Sequence, residues 1–77
     1  MFFSKKYIIR VKAREIADFT NILSDLNIKF HIGKEYIDYE NDERWWLRDV
    51  TVRLNKNQFE RLNAKANLMI VGCKFVD

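Results

Sequence analysis

The sequence predicts an α+β fold: a four-stranded antiparallel sheet in the order 4-1-3-2, with two helices packed on one face. Three observations lead there. Lys29 to Asn55 reads as one long β-hairpin, two stretches with helical apolar spacing flank it, and an alternating strand pattern stands at each end. The element order is therefore β-α-β-β-α-β.

In chain order, Lys5 to Ala13 alternates Tyr7, Ile9 and Val11 with Lys6, Ile8, Arg10 and Lys12, the mark of a half-buried strand. Ile16, Phe19, Leu23 and Leu26 then recur at helical spacing, widened by Ile22, over about 14 residues or roughly 21 Å. Asn27 suits the stop, since asparagine tolerates the left-handed conformation. Asn55 followed by Gln58 has the form of a capping box, and Phe59, Leu62 and Ala66 mark the second helix. Met69 to Val76 is the last strand, with Met69, Val71, Cys73 and Phe75 expected in the core and Lys74 outside.

The hairpin is the most informative stretch. Asn41-Asp42-Glu43 is turn-prone, and a three-residue loop there sets Glu40 opposite Arg44. The same register pairs Tyr39 with Trp45, Ile37 with Leu47, Ile32 with Val52, and Phe30 with Leu54. Two pairs fit poorly, Glu35 with Asp49 and Lys34 with Val50. Gly33 lies beside them, and a bulge there would shift the facing of the distal arm. Without a bulge, Phe30, Ile32, Val50, Val52 and Leu54 face the core. Each arm then spans roughly 36 Å, so the tip overhangs the helices and bares Ile37, Tyr39, Trp45 and Leu47 on the face the core does not use. Trp46 falls on core parity and is expected to close the core; in the alternative where strand twist folds the arm over the helices, Tyr36 and Trp45 join it. Met1-Phe2-Phe3 starts at the hairpin's base, too far away to cover the tip.

Two right-handed split βαβ units give the predicted strand order most economically, which is the ferredoxin-like arrangement. That arrangement hosts many functions, so function has to come from surfaces and sites. The 77 residues are expected to form a single domain, 1–77, small enough that a partner would add to a marginal core. There are two glycines and no proline. The apolar run at the start is too short for a signal peptide, and no segment approaches a membrane span. A single cysteine, Cys73, excludes an internal disulfide and fits a reducing, cytoplasmic setting.

Catalytic chemistry finds little support. Cys73 and His31 fall on opposite edge strands, so they cannot act as a thiol–imidazole pair. One histidine and one cysteine are too few for a usual zinc site, and no glycine-rich phosphate loop is present. No catalytic residue, metal or other cofactor is expected. The net charge of +3 is mildly basic but unevenly spread. Lys5, Lys6, Arg10, Lys12 and Arg14 precede the first acid, whereas Glu35, Asp38, Glu40, Asp42 and Glu43 run without a base between them.

Two surfaces can carry function. The first is the hairpin tip, where Ile37, Tyr39, Trp45 and Leu47, with the acidic Glu40, Asp42 and Glu43, form an aromatic and acidic patch suited to a protein partner. A second copy of the chain is one such partner. The expected function is a small, non-enzymatic binding protein, of the kind a bacteriophage uses to regulate or inhibit host machinery. The alternative uses the basic open sheet face, with Arg10, Lys12, His31, Arg53 and Lys74, to bind single-stranded RNA or DNA. Asp49 in mid-sheet, and the absence of spaced aromatics on the central strands, weigh against it.

Overall fold

The computed structural model describes residues 4–40 and 43–76. The side chains of Tyr39, Glu40 and Glu43 are not described, and the expectations placed on Met1 to Phe3 and on Asn41 and Asp42 fall outside the described residues. The strands are β1 (Lys5–Lys12), β2 (Phe30–Glu40), β3 (Glu43–Leu54) and β4 (Ile70–Val76). A 3-10 turn, Ala13–Glu15, leads into α1 (Ile16–Asp25), and α2 (Lys56–Ala66) joins β3 to β4. The sheet order is β2-β3-β1-β4 with antiparallel pairing throughout. This is the predicted ferredoxin-like topology, read from the other edge.

Burial follows the predicted periodicities in β1, in α1 and at the base of β3. Ile9 and Val11 of β1 and Val50, Val52 and Leu54 of β3 pack with Phe19 and Leu23 of α1 and Leu62 and Ala66 of α2. Ile16, Ile22 and Leu26 sit half-buried at the margin of this core. The capping box at α2 is complete. Asn55 Oδ1 accepts from the Gln58 backbone N–H at 2.8 Å, and Gln58 Oε1 accepts from the Asn55 N–H at 3.0 Å.

α1 closes as a Schellman motif. The Ile28 N–H donates to Leu23 O at 2.9 Å, the Asn27 N–H donates to Ser24 O at 3.0 Å, and Asn27 takes a φ of 58°. Ile28 and Leu23 are both buried, which gives the motif its apolar clasp. Asn27→Val puts a β-branched residue at this left-handed position and is expected to lower stability by about 1 kcal/mol, with Asn27→Gly tolerated. Urea unfolding of the two variants checks this; equal midpoints would contradict it.

β4 departs from expectation. Its pairing with β1 shifts between Arg10 and Val11, so Val11 faces Ile70. Ile70 therefore takes the core-side position intended for Val71, which is exposed. Cys73 and Phe75 pair with Ile9 and Tyr7, yet both are exposed, Phe75 by 50%. The reason is position: β4 is an edge strand. Phe59 of α2 meets Tyr7 of β1, whose ring in turn meets Phe75 at 5.8 Å. Phe59 is accordingly 37% exposed and not fully in the core. The Phe30 side chain, on the opposite edge strand, is also 37% exposed.

Candidate interaction surface

The geometry of the hairpin is decided by a bulge. Phe30, His31 and Ile32 pair with Val52, Thr51 and Val50, the register then shifts, and Glu35 resumes opposite Arg48. Gly33 lies in the shift. A Cβ there would stand 3.2 Å from the Asp49 carbonyl oxygen, so the close approach of the two backbones favours glycine. The Gly33 carbonyl, displaced from the ladder, accepts a bond from Arg48 Nε at 2.9 Å. Beyond the bulge, Tyr36 pairs with Leu47, Ile37 with Trp46, Asp38 with Trp45, Tyr39 with Arg44 and Glu40 with Glu43.

Every predicted cross-strand pair is thereby corrected. At the tip Glu40 pairs with Glu43 rather than Arg44, a shift of one residue, and the bulge adds one more towards the base. At the base the slip amounts to two residues, which preserves facing. At the tip it amounts to one residue, which exchanges the two faces of β2 relative to β3. The predicted cluster of Ile37, Tyr39, Trp45 and Leu47 is therefore divided. Trp45 and Leu47 remain on the open face, joined by Tyr36 and Asp38. Ile37 and the Tyr39 position belong to the helix-side face with Trp46.

On the open face this builds a second, small packing unit. Leu47 is 2% exposed although it stands outside the main core. Its cross-strand neighbours are Tyr36 on one side and Lys12 on the other. Tyr36 donates its hydroxyl proton to Asp49 Oδ1 at 2.7 Å. Arg10 closes the group, with Nη1 3.4 Å from Asp38 Oδ2, Nε 3.6 Å from Asp49 Oδ1, and its guanidinium 5.7 Å from the Tyr36 ring centre. Lys12 Nζ stands 4.2 Å over the Trp45 ring. Burial raises the Tyr36 pKa, helped by the bond donated to Asp49 and by that carboxylate's charge. Desolvation works against the Arg10 charge, but Tyr36, Asp49 and Asp38 outweigh it and raise the pKa overall.

On the helix-side face of the tip, Ile37 is half-buried and Trp46 is left uncovered. Trp46 keeps the predicted parity but does not close the core, being 54% exposed. Length explains this: ten residues of α1 cover about 15 Å, whereas twelve residues of β3 extend about 40 Å. The described residues are correspondingly elongated, 45 × 25 × 20 Å. Lys12, Arg14 and Arg44 join Trp45 and Trp46 around a notch of about 230 Å³. This cationic and aromatic notch was missed in the sequence; its signal was the run Arg44-Trp45-Trp46.

The remaining predicted residues are dispersed. His31 and Arg53 lie at the base of the open face, and Lys74 lies on the edge strand opposite Ile8. Cys73 and His31 stand on opposite edge strands, and partial desolvation raises the thiol pKa. Among the described residues no three histidine, cysteine or carboxylate side chains gather as a metal site. No helix among them is long and apolar enough to cross a membrane.

No protein-family model and no curated protein matches this chain. Solved structures do match. CPII from Thiomonas intermedia K12, described as a nitrogen regulatory PII-like protein and bound to ADP, AMP and bicarbonate, superposes with a TM-score of 0.77. The alignment covers 95% of this chain and 91% of that one, at 12% identity. A second structure of CPII, bound to ADP and bicarbonate, gives a TM-score of 0.75 over 95% and 87% of the two chains at 11% identity. The two proteins share a fold. At this identity the likeness extends to architecture alone, and the ferredoxin-like arrangement of this chain is the part it supports.

Proposed function

We propose that this chain is a small, non-enzymatic regulatory protein of the cytoplasm that binds a protein partner through the far end of its hairpin. The observation that carries the reading is the 54% exposure of Trp46 on an arm that runs past the helical layer. A tryptophan left in water on an extended arm, flanked by Ile37 and bordered by Arg44 and Arg14, has the composition of a binding hot spot. The regulatory part of the reading is carried over from CPII, described as a nitrogen regulatory PII-like protein, which shares this architecture. The phage-type setting rests on the small size of the chain, and nothing in the fold or in the structural matches adds to it.

A single strand of RNA or DNA across the whole sheet face is the less favoured reading. Arg10 is engaged by Asp38 and Asp49, and Lys12 lies on Trp45, so two of the five residues that reading needs are occupied within the chain.

The test is Trp46→Ala, used as bait beside the wild type in capture from cells of the source, together with sedimentation of both proteins alone. Trp46 contributes little to the core, so the melting temperature is expected to stay within about 2 °C, while a partner bound by the wild type, or a wild-type dimer, is lost. Undiminished association in Trp46→Ala would move the interface elsewhere on the molecule.

A further inference from the structure

At the opposite end of the open face the hairpin base forms a groove of about 410 Å³ whose charge is of one sign. Lys6, Lys29, His31 and Arg53 line it with the hydroxyl-bearing Ser4 and Thr51, and no acid is among the described lining residues. Lys6 and Arg53 are direct cross-strand partners in the β1–β3 ladder, and His31 is the direct partner of Thr51. Buried neighbours on either side, Val52 and Leu54, hold Arg53 on the open face. Like charges placed opposite one another weaken a sheet. None of these four groups has an ion pair among the described residues. The chain therefore keeps an unfavourable cationic row where neutral residues would fold better, and an anion lying between the cations removes the repulsion.

We infer that this groove binds a small anion carrying two adjacent phosphoryl groups, of the diphosphate class. Extent decides the size of the ligand. The row from Lys29 through Arg53 to Lys6 crosses two strand spacings, about 10 Å, enough for two phosphoryl groups. Farther up the face, Asp49 and the occupied Arg10 interrupt the positive surface, which ends the track a nucleic-acid strand would need. Lys6, Lys29 and Arg53 supply charge-assisted donors, the Arg53 guanidinium offering a two-pronged contact, and Thr51 and the His31 imidazole add neutral-capable donors at one side.

The experiment titrates the full chain with inorganic pyrophosphate, with ADP and with a single-stranded oligonucleotide at about 50 mM salt, where screening is still weak, following backbone amide shifts by NMR. Pyrophosphate and ADP are expected to saturate the same amides, around residues 4–6, 27–31 and 51–53. Arg53→Ala is expected to weaken both by at least about tenfold, as loss of a charge-assisted bond does, while Lys65→Ala on α2 leaves them unchanged. Lys6→Glu gives Arg53 an opposite charge and is expected to abolish binding without lowering the melting temperature. Lys6→Ala/Arg53→Ala serves the same purpose should that variant fail to fold. The inference is overturned if pyrophosphate gives no saturable shifts, or if Lys65→Ala weakens binding as much as Arg53→Ala. It is equally overturned if the oligonucleotide shifts the amides of Arg10 and Lys74 and pyrophosphate does not displace it.

Discussion

Leu47→Ala is expected to destabilise the protein by about 2–5 kcal/mol, the range for removing a fully buried leucine side chain, although Leu47 lies on the face away from the helices. The unbulged register leads to the opposite result. There Leu47 is an exposed residue of the hairpin tip, and its truncation changes stability by less than about 0.5 kcal/mol. The difference exceeds the error of a urea unfolding curve, so one variant separates the two arrangements. A small domain has only a modest reserve, and the upper part of this range would leave much of the chain unfolded at ambient temperature. A midpoint equal to that of the wild type would mean that Tyr36 and Lys12 do not enclose this side chain.

Asp49→Ala is the second large effect expected. Asp49 receives the Tyr36 hydroxyl and stands beside Arg10, so its removal deprives two groups of a partner at once. Partial solvent access tempers the loss, leaving about 1–2 kcal/mol. The bond also carries a pH signature. The folded-state pKa of Tyr36 is raised, first by burial and then by Asp49. A raised pKa in the folded state means that the stabilisation is fully present below the unfolded value of about 10 and fades as the pH climbs through the higher folded one. The melting temperature of the wild type should therefore decline towards that of Tyr36→Phe as the pH is raised above about 10, the two being well separated at about pH 8. Curves that stay parallel across this interval would deny the phenol its role.

The parts of the fold legible in the sequence are those decided locally. The helical stripe of Phe19 and Leu23, the reciprocal bonds of Asn55 and Gln58, and the left-handed Asn27 each depend on a few consecutive residues, and each forms as read. Strand order followed because few crossovers suit so short a chain. The facing of Val50, Val52 and Leu54 also held, since a two-residue slip leaves parity intact. The facing of β2 at the tip did not hold, because a single extra residue at Gly33 reverses it, whereas Trp45, Trp46 and Leu47 on β3 keep theirs. The sign was present in the two poorly matched pairs, Glu35 with Asp49 and Lys34 with Val50, which the bulge dissolves. Trp46 and Phe75 were misjudged for another reason. Periodicity assigns a residue to a face but not to cover, and cover depends on how far the helices reach.

The placement of β1 has a consequence for how the molecule comes to be made. It lies inside the sheet, bonded to β3 on one side and to β4 on the other, with Ile9 meeting Val50 and Cys73. During synthesis this strand emerges before either neighbour and has no partner until the whole of β3 has followed. At ribosomal speeds that delay amounts to several seconds. The β2–β3 arms, by contrast, can zip together as soon as both are out. Assembly should therefore begin with the hairpin and end with an apolar strand sliding into a slot between two late arrivals, a non-local order of events that makes for slow folding.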